Sequence, residues 1–250
     1  MSARRNPLAP LIERLFERLA DILIARMSDK LLHPRTLLLR KAQKEAVAFV
    51  EEHMASALIL NTGHDVLRLS LARAPEDGMI LEFGVAGGAS INVLAKGTTR
   101  HIHGFDSFEG LPEDWGGRHE EKGHYSTGGV LPETPANVTL HKGWFDDTLP
   151  GFFEKNDGPV AFAHIDCDLY ASTKTALEHI APRLKPGSII VFDEFFNIPN
   201  WQQNEFRAFR EFVSTYKVGV SYICWAYQQV AVRIDRIDND PPEALTISLS

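Results

Sequence analysis

Between residues 79 and 234, short apolar runs alternate with stretches of helical period, and this alternation limits what the chain can fold into more than any other feature. Strands are expected near 79–84, 101–106, 137–141, 160–166, 187–193, 218–225 and 228–234, with helices near 89–96, 147–155, 171–184 and 201–214. Such alternation builds a parallel sheet covered by helices on both faces. The last two strands, "VGVSYICWAY" and "QQVAVRID", have almost no connection between them and should pair as an antiparallel hairpin. Ahead of this pattern, Leu8, Leu11, Ile12, Leu15, Phe16, Leu19, Ile22, Leu23 and Met27 recur at helical spacing, and a second helical stretch follows. Pro75 and Gly78 mark the change of pattern. The chain therefore divides into a helical extension, 1–77, for oligomerisation and pocket cover, and a main domain, 78–250.

Charge and cysteine content narrow the class. Lys plus Arg number 26 against 33 Asp plus Glu, giving 26 − 33 = −7, which argues against a nucleic-acid partner. The polar face of the first helix mixes signs through Glu13, Arg14, Glu17, Arg18 and Asp21, so packing on this or another subunit is favoured over a membrane surface. A homo-oligomer is expected. Only Cys167 and Cys224 are present, far apart, so neither a disulfide framework nor a thiolate zinc site is indicated. With no membrane-length apolar stretch and no signal-peptide core, the expected location is the cytoplasm.

The first strand of the alternating region runs straight into glycines, "ILEFGVAGGAS". The spacing fits neither the dinucleotide fingerprint nor the P-loop. Glu82-x-Gly84-x-Ala86-x-Gly88 instead resembles the first motif of class I S-adenosylmethionine methyltransferases, where small residues let backbone lie against the methionine part. The resemblance makes Glu82, Gly84, Val85, Ala86, Gly88 and Ser90 cofactor-binding candidates. Asp106 ends the second strand, 24 residues after Glu82, where an acid can hold ribose hydroxyls, with Ser107 beside it. In "LHKGWFDDTLP", Gly143, Trp144 and Phe145 follow the third strand where that family contacts adenine, although Trp144 stands where many members carry an acid.

Strand four runs out at Asp166 and strand five at Asp193, followed by Glu194, all at the carboxyl edge that also carries the glycine loop. Converging carboxylates repel unless a cation or protons relieve them, and an all-oxygen ligand set suits Mg²⁺. Solvated acids capping the next helix are the alternative, a role read for Asp168 ahead of "LYASTKTALEHI".

"LEFGVAGGAS", "GFDSFEGLPEDW", "KGWFDDTLP", "HIDCDLYAST" and "FDEFFNIP", taken in order, resemble the TylF-like family of macrocin and mycinose O-methyltransferases. The resemblance implies a Rossmann-like class I methyltransferase fold, with a seven-stranded, mostly parallel sheet. It also implies S-adenosylmethionine as cofactor and methyl transfer to a hydroxyl of a small molecule, such as a sugar on a natural product. Carried over residue by residue, it implies Asp166, Asp193 and Glu194 as Mg²⁺ ligands, with Asp166 also bounding the cofactor pocket. Catechol-type relatives place a lysine base where this chain has Leu169, so base duty falls on Asp166, His164 or metal-bound hydroxide. The segment "WGGRHEEKGHYSTGGVLPETP", flexible, polar and aromatic with Trp115 and Tyr125, reads as a mobile loop over the substrate pocket, built like an active-site cover. An oxidoreductase using an adenosine cofactor and a non-catalytic binding module are the competing classes.

Overall fold

The computed structural model describes residues 9–238. Residues 1–8, including Leu8 of the expected apolar stripe, and 239–250, within the expected main domain, lie outside the described residues. The sheet contains β1 (Leu58–Ile59), β2 (Met79–Phe83), β3 (Ile102–Asp106), β4 (Val138–Lys142), β5 (Val160–Ile165), β6 (Leu184–Phe192), β7 (Gly219–Ala226) and β8 (Gln229–Arg236), in the order β1-β7-β8-β6-β5-β2-β3-β4. Only β8 runs against its neighbours, pairing antiparallel to both β6 and β7. The mostly parallel α/β architecture and the terminal hairpin are as expected. The sheet has eight strands rather than seven because Leu58–Ile59, inside the 1–77 stretch, pairs parallel with Cys224–Trp225.

The interior strands form where the sequence is continuously apolar. Every residue of β5 is buried, as a strand covered on both faces requires. One face is closed by α3 (Gly63–Arg73) and α4 (Ala89–Gly97), through Val66, Leu67, Ile91 and Leu94. The other is closed by α5 (Phe145–Lys155), α6 (Tyr170–Ile180) and α7 (Glu205–Thr215). In α7 the buried positions Glu205, Phe206, Ala208, Phe209 and Phe212 recur at helical spacing. Helix α2 (Pro34–His53) is fixed to this face by Phe49, whose ring meets Phe195, Trp201, Phe206 and Tyr222.

Helix α1 (Ala9–Leu32) is different. It touches α2, and its large apolar residues from Ile12 to Met27 stand exposed, Phe16 at 68%. Among the described residues, no helix is long and apolar enough to cross a membrane.

Chain order proceeds outward from β2 to β3 and β4 on one side, and from β5 to β6 on the other. The reversal leaves a crevice at the carboxyl ends of β2 and β5, the position where open α/β sheets take ligands.

Candidate active site

A cavity of about 800 Å³ occupies this crevice. Its volume lies toward the upper end of the range of about 300–1,000 Å³ usual for small-molecule sites, which leaves room for two ligands side by side. One wall is the glycine loop, and Gly84, Val85, Ala86, Gly87 and Ser90 line it. Asp106, Ser107, Gly143, Trp144 and Phe145 continue the wall, so the residues expected around an adenosine are brought together.

The loop's shape is held by Asp106. Its Oδ2 accepts from the Val85 N–H at 2.7 Å and the Ala86 N–H at 2.8 Å, and its Oδ1 accepts from the Phe108 N–H at 2.6 Å. Ala86 sits at φ 43°, the left-handed region that L side chains rarely adopt, and this carboxylate helps to hold it there. The expected role in gripping ribose is thus joined by a structural one, and Oδ1, which accepts only one bond, keeps lone-pair capacity for a ligand. Asp106→Ala should therefore both lower the melting temperature and weaken S-adenosylmethionine binding, each by about 1.5–3 kcal/mol for a charge-assisted acceptor. Asp106→Asn, which retains one acceptor oxygen, should recover most of the melting temperature. Paired calorimetry and thermal melts check this, and unchanged values for Asp106→Ala would remove the anchor.

Two expected cofactor residues stand off the cavity wall. Glu82 is fully buried beneath the loop, where its Oε1 accepts from Ser90 Oγ at 2.8 Å and its Oε2 lies 3.4 Å from His164 Nδ1. It positions Ser90 rather than touching a ligand. Gly88 begins α4 at φ 84°, and a Cβ there would meet Pro132 at 3.0 Å, so its small size serves loop packing. Gly84 likewise has a reason inside the protein, because a Cβ there would overlap the Asp166 carbonyl.

The opposite wall is acidic. Asp166, Asp168, Asp193 and Glu194 line it. Two ligand-sized groups form among them and buried His164, a His164 nitrogen with Asp166 and Asp193 oxygens, and the oxygens of Asp166, Asp168 and Glu194, each within 4.8 Å. Asp166 belongs to both, while Asp193 and Glu194 fall in different groups, so the expected trio is not one shell as it stands. Asp168 is no helix cap, since α6 starts after Leu169 with no side-chain cap bond. It is buried at φ 63°, at the cavity wall.

Residues distant in sequence, behind the wall, hold its carboxylates. Gln228 Nε2, in the turn between β7 and β8, donates to Glu194 Oε1 at 3.2 Å, and Gln229 Nε2, at the start of β8, donates to Asp193 Oδ1 at 3.2 Å. Buried Glu205 accepts the Glu194 N–H at 3.0 Å. One signal for Glu205 is present in the sequence, since it sits on the apolar stripe of α7 where a carboxylate has no packing role.

Burial raises Asp166, Glu194 and Glu205 well above the usual carboxylate range, and their neighbours' like charges add to the effect. Burial also lifts Asp168 to about 7, although a Glu194 hydrogen bond and Arg118 oppose it. Burial alone would depress His164. The carboxylates of Glu82, Asp166 and Asp193 outweigh it and hold the imidazole at about 9. His164 is fully buried and absent from the cavity wall, so it reads as a counter-ion to these acids rather than the base considered from sequence. Glu194 Oε2 and Glu205 Oε1 are buried with no hydrogen-bond partner.

The segment over the cavity divides its two large aromatic residues. Trp115 is turned into the core. Its ring is 1% exposed, with the Arg118 guanidinium 4.1 Å above it, and Arg118 forks onto Glu120 at 2.9 and 3.1 Å. Tyr125, by contrast, lines the cavity.

The fold and cavity together define a Rossmann-like architecture of the class I methyltransferase kind. Residues 81–195 match the family model described as a methyltransferase domain. Two curated relatives are similar in sequence. One is 8-demethyl-8-(2,3-dimethoxy-alpha-L-rhamnosyl)-tetracenomycin-C 4'-O-methyltransferase of Streptomyces olivaceus, 36% identical over 47% of this chain and 53% of its own length. The other is mycinamicin III 3''-O-methyltransferase of Micromonospora griseorubida, 32% identical over 47% of this chain and 55% of its own. The chain thus spans about half the length of the curated relatives it matches. The calicheamicin methyltransferase CalS11 shares the fold at TM-score 0.56 and 23% identity, covering 93% of this chain and 98% of that one. The O-methyltransferase NovP does so at TM-score 0.55 and 19% identity, covering 69% and 79%.

Proposed function

We propose that this protein transfers the methyl group of S-adenosylmethionine to a hydroxyl of a small molecule, specifically a sugar hydroxyl of a natural product. The observation that carries the reading is the pairing, across one cavity, of the glycine-loop wall with the acidic wall at the ends of β5 and β6. The activities for which the two curated relatives are named support it. In the reaction the acceptor oxygen forms a bond to the methyl carbon as the carbon–sulfur bond breaks, giving S-adenosylhomocysteine. The hydroxyl proton passes to a carboxylate on the acidic wall. Asp166 and Asp168 both reach the cavity, whereas sealed His164 does not. Holding the two reactants in line, out of water, supplies much of the rate.

The donor set fits a hard divalent cation such as Mg²⁺. Several buried carboxylates share one small volume, and Glu194 Oε2 is left with no partner. Asp166, with Asp193 or with Asp168 and Glu194, would hold it. There it would lower the acceptor hydroxyl's pKa. Calorimetry with S-adenosylmethionine and with NAD separates the competing classes. Binding of NAD alone would mean an oxidoreductase, and binding of neither a non-catalytic module.

The same proposal includes a cytoplasmic, homo-oligomeric protein in which residues 1–77 serve assembly and pocket cover. Free, buried Cys167 and Cys224 suit a reducing compartment. The exposed Ile12, Leu15, Phe16, Leu19, Ile22, Leu23 and Met27 on α1 form an apolar surface of a kind that marks interfaces. Each such side chain gains about 1.5–3 kcal/mol when fully covered. Deleting residues 1–30 should therefore lower the mass measured by light scattering to that of a smaller assembly. Retention of both native mass and full activity would defeat the interface.

A further inference from the structure

We infer that the chain carries a second binding site, apart from the active-site cavity, for a phosphate or another dianionic oxyanion, in the groove between the edge strand β4 and α5. The groove is a cavity of about 430 Å³, and none of its lining residues lines the active-site cavity. Its volume lies within the range usual for small-molecule sites. The polar lining is His103, His141, Lys142, Thr148, Lys155 and Asn156, so two cations and several hydrogen-bond donors face it and, among the described residues, no carboxylate does. The chain as a whole has a formal net charge of −7, so the groove is a local reversal of sign.

Strand register brings the histidines together. His103 and Phe105 share one side of β3, and His141 of β4 pairs beside Phe105, so both imidazoles lie on the same sheet face. His103 Nδ1 and His141 Nε2 are 3.1 Å apart, and the Phe152 ring of α5 meets both, at 4.8 and 5.1 Å between centroids. Burial and the neighbouring His141 and His101 push His103 down to about 4, and burial with His101 also pushes His141 down. Around the pair stand His101, just before β3, Lys142 on β4 and Lys155 on α5, and no carboxylate acts on either ring. A bound anion supplies the missing counter-charge. The pair can take up one proton without breaking its bond, because an imidazolium donates to a neutral imidazole, and the groove then gains a positive charge beside its two ammonium groups. Lys142 Nζ already donates to the Gly129 carbonyl at 2.7 Å, yet an ammonium has two further donors. The carbonyl end of α5 would by itself repel an anion. That end is already covered, since Asn156 Nδ2 donates to the Phe152 carbonyl and the Arg183 guanidinium to those of Phe153 and Asn156.

The test is calorimetry on the full chain with sulfate, which stays dianionic at every pH used. Stabilising the imidazolium raises its folded-state pKa, so binding takes up a proton and affinity grows as pH falls. If the anion restores His103 to the ordinary histidine value of about 6.5, sulfate should bind about ten-fold tighter at about pH 5.5 than at about pH 8. Lys155→Met, at an exposed side chain, should weaken sulfate by about five-fold at both pH values. His103→Gln combined with His141→Gln should leave the affinity at the higher pH nearly unchanged and abolish the pH dependence. Histidine NMR titration of the native protein needs no variant to fold, and there the His103 signal should titrate about one pH unit or more higher in saturating sulfate. p-Nitrophenyl phosphate separates the two sources of the same chemistry. Binding tighter than sulfate assigns the groove to a phosphomonoester, and equal affinity assigns it to free phosphate. Sulfate held equally at both pH values, or not weakened by Lys155→Met, would be an adventitious ion only and would overturn the inference. So would absence of sulfate binding at about 20 mM.

Discussion

Replacing Gly84 by alanine should cost the folded state about 3 kcal/mol or more, placing it among the severe single substitutions, and should do so with no ligand present. Gly84 has φ +89°, and a Cβ built there would overlap the carbonyl of Asp166, the residue that follows β5. Two sequence-distant strand ends meet at that point. The Asp166 N–H donates to the Phe83 carbonyl at 2.8 Å, and the Gly84 N–H donates to the Phe105 carbonyl at 2.9 Å. Any side chain would force β2 and β5 apart at the level where the glycine loop and the acidic wall begin. From sequence, the glycine reads as space left for the cofactor, with a valine expected to block binding while the fold survives. The structure gives that space to the protein's own backbone. Gly87 is the control, since it lines the cavity and a Cβ there would meet nothing within 4 Å. Gly87→Ala should keep the urea midpoint of the native protein, and Gly84→Ala should lower it sharply. Equal midpoints for the two variants would mean that the close approach at Gly84 is absent in solution.

The contrast between these glycines shows what a sequence carries. The interior strands were legible because burial on both faces demands unbroken apolar residues, as in "VAFAHI". The hairpin of β7 and β8 was legible because two apolar runs separated by almost nothing can only fold back. Strand β1 was not, because two half-solvated residues carry no periodicity. Asp168 was misread for a local reason. An acid just before a helix has the pattern of a cap, and only the tertiary structure turns it toward Asp166 and Glu194. The burial of Trp115 was not legible, because a polar, glycine-rich segment reads as a surface loop, and the Arg118–Glu120 pair beside its ring is recognisable only in three dimensions. Gln228, Gln229 and Glu205 reach the acids from other elements, and no spacing rule relates them. What sequence does provide is the strand register. His164 and Asp166 alternate onto one side of β5, as two-residue periodicity requires, but register does not distinguish a sealed side chain from one that lines a cavity.

Asp193→Asn should lower turnover by about a hundred-fold or more, the scale on which single electrostatic partners of a transition state act, while leaving S-adenosylmethionine affinity within about two-fold. The asymmetry follows from position. Asp193 stands on the acidic wall with Asp166, with His164 buried behind them, away from the loop wall shaped by Asp106. The amide keeps the carboxylate's shape, and its oxygen can still accept from Gln229 Nε2. What it removes is one negative charge from a crowded set. Treatment with a chelator should reproduce the loss in the native protein, and added Mg²⁺ should restore activity. A second readout needs no catalysis. Since the charge of Asp193 helps to push Asp166 and Glu194 above the ordinary carboxylate range, its removal should raise the melting temperature of metal-free protein, by about 1 kcal/mol of stability. The variant should thus be more stable without a cation and less active with one. If Asp166 acted alone as a base, with Asp193 and Glu194 merely solvated, the chelator would do nothing, only Asp166→Asn would be severe, and the melting temperature of Asp193→Asn would stay put. Full activity of rigorously metal-free protein would rule out dependence on the cation.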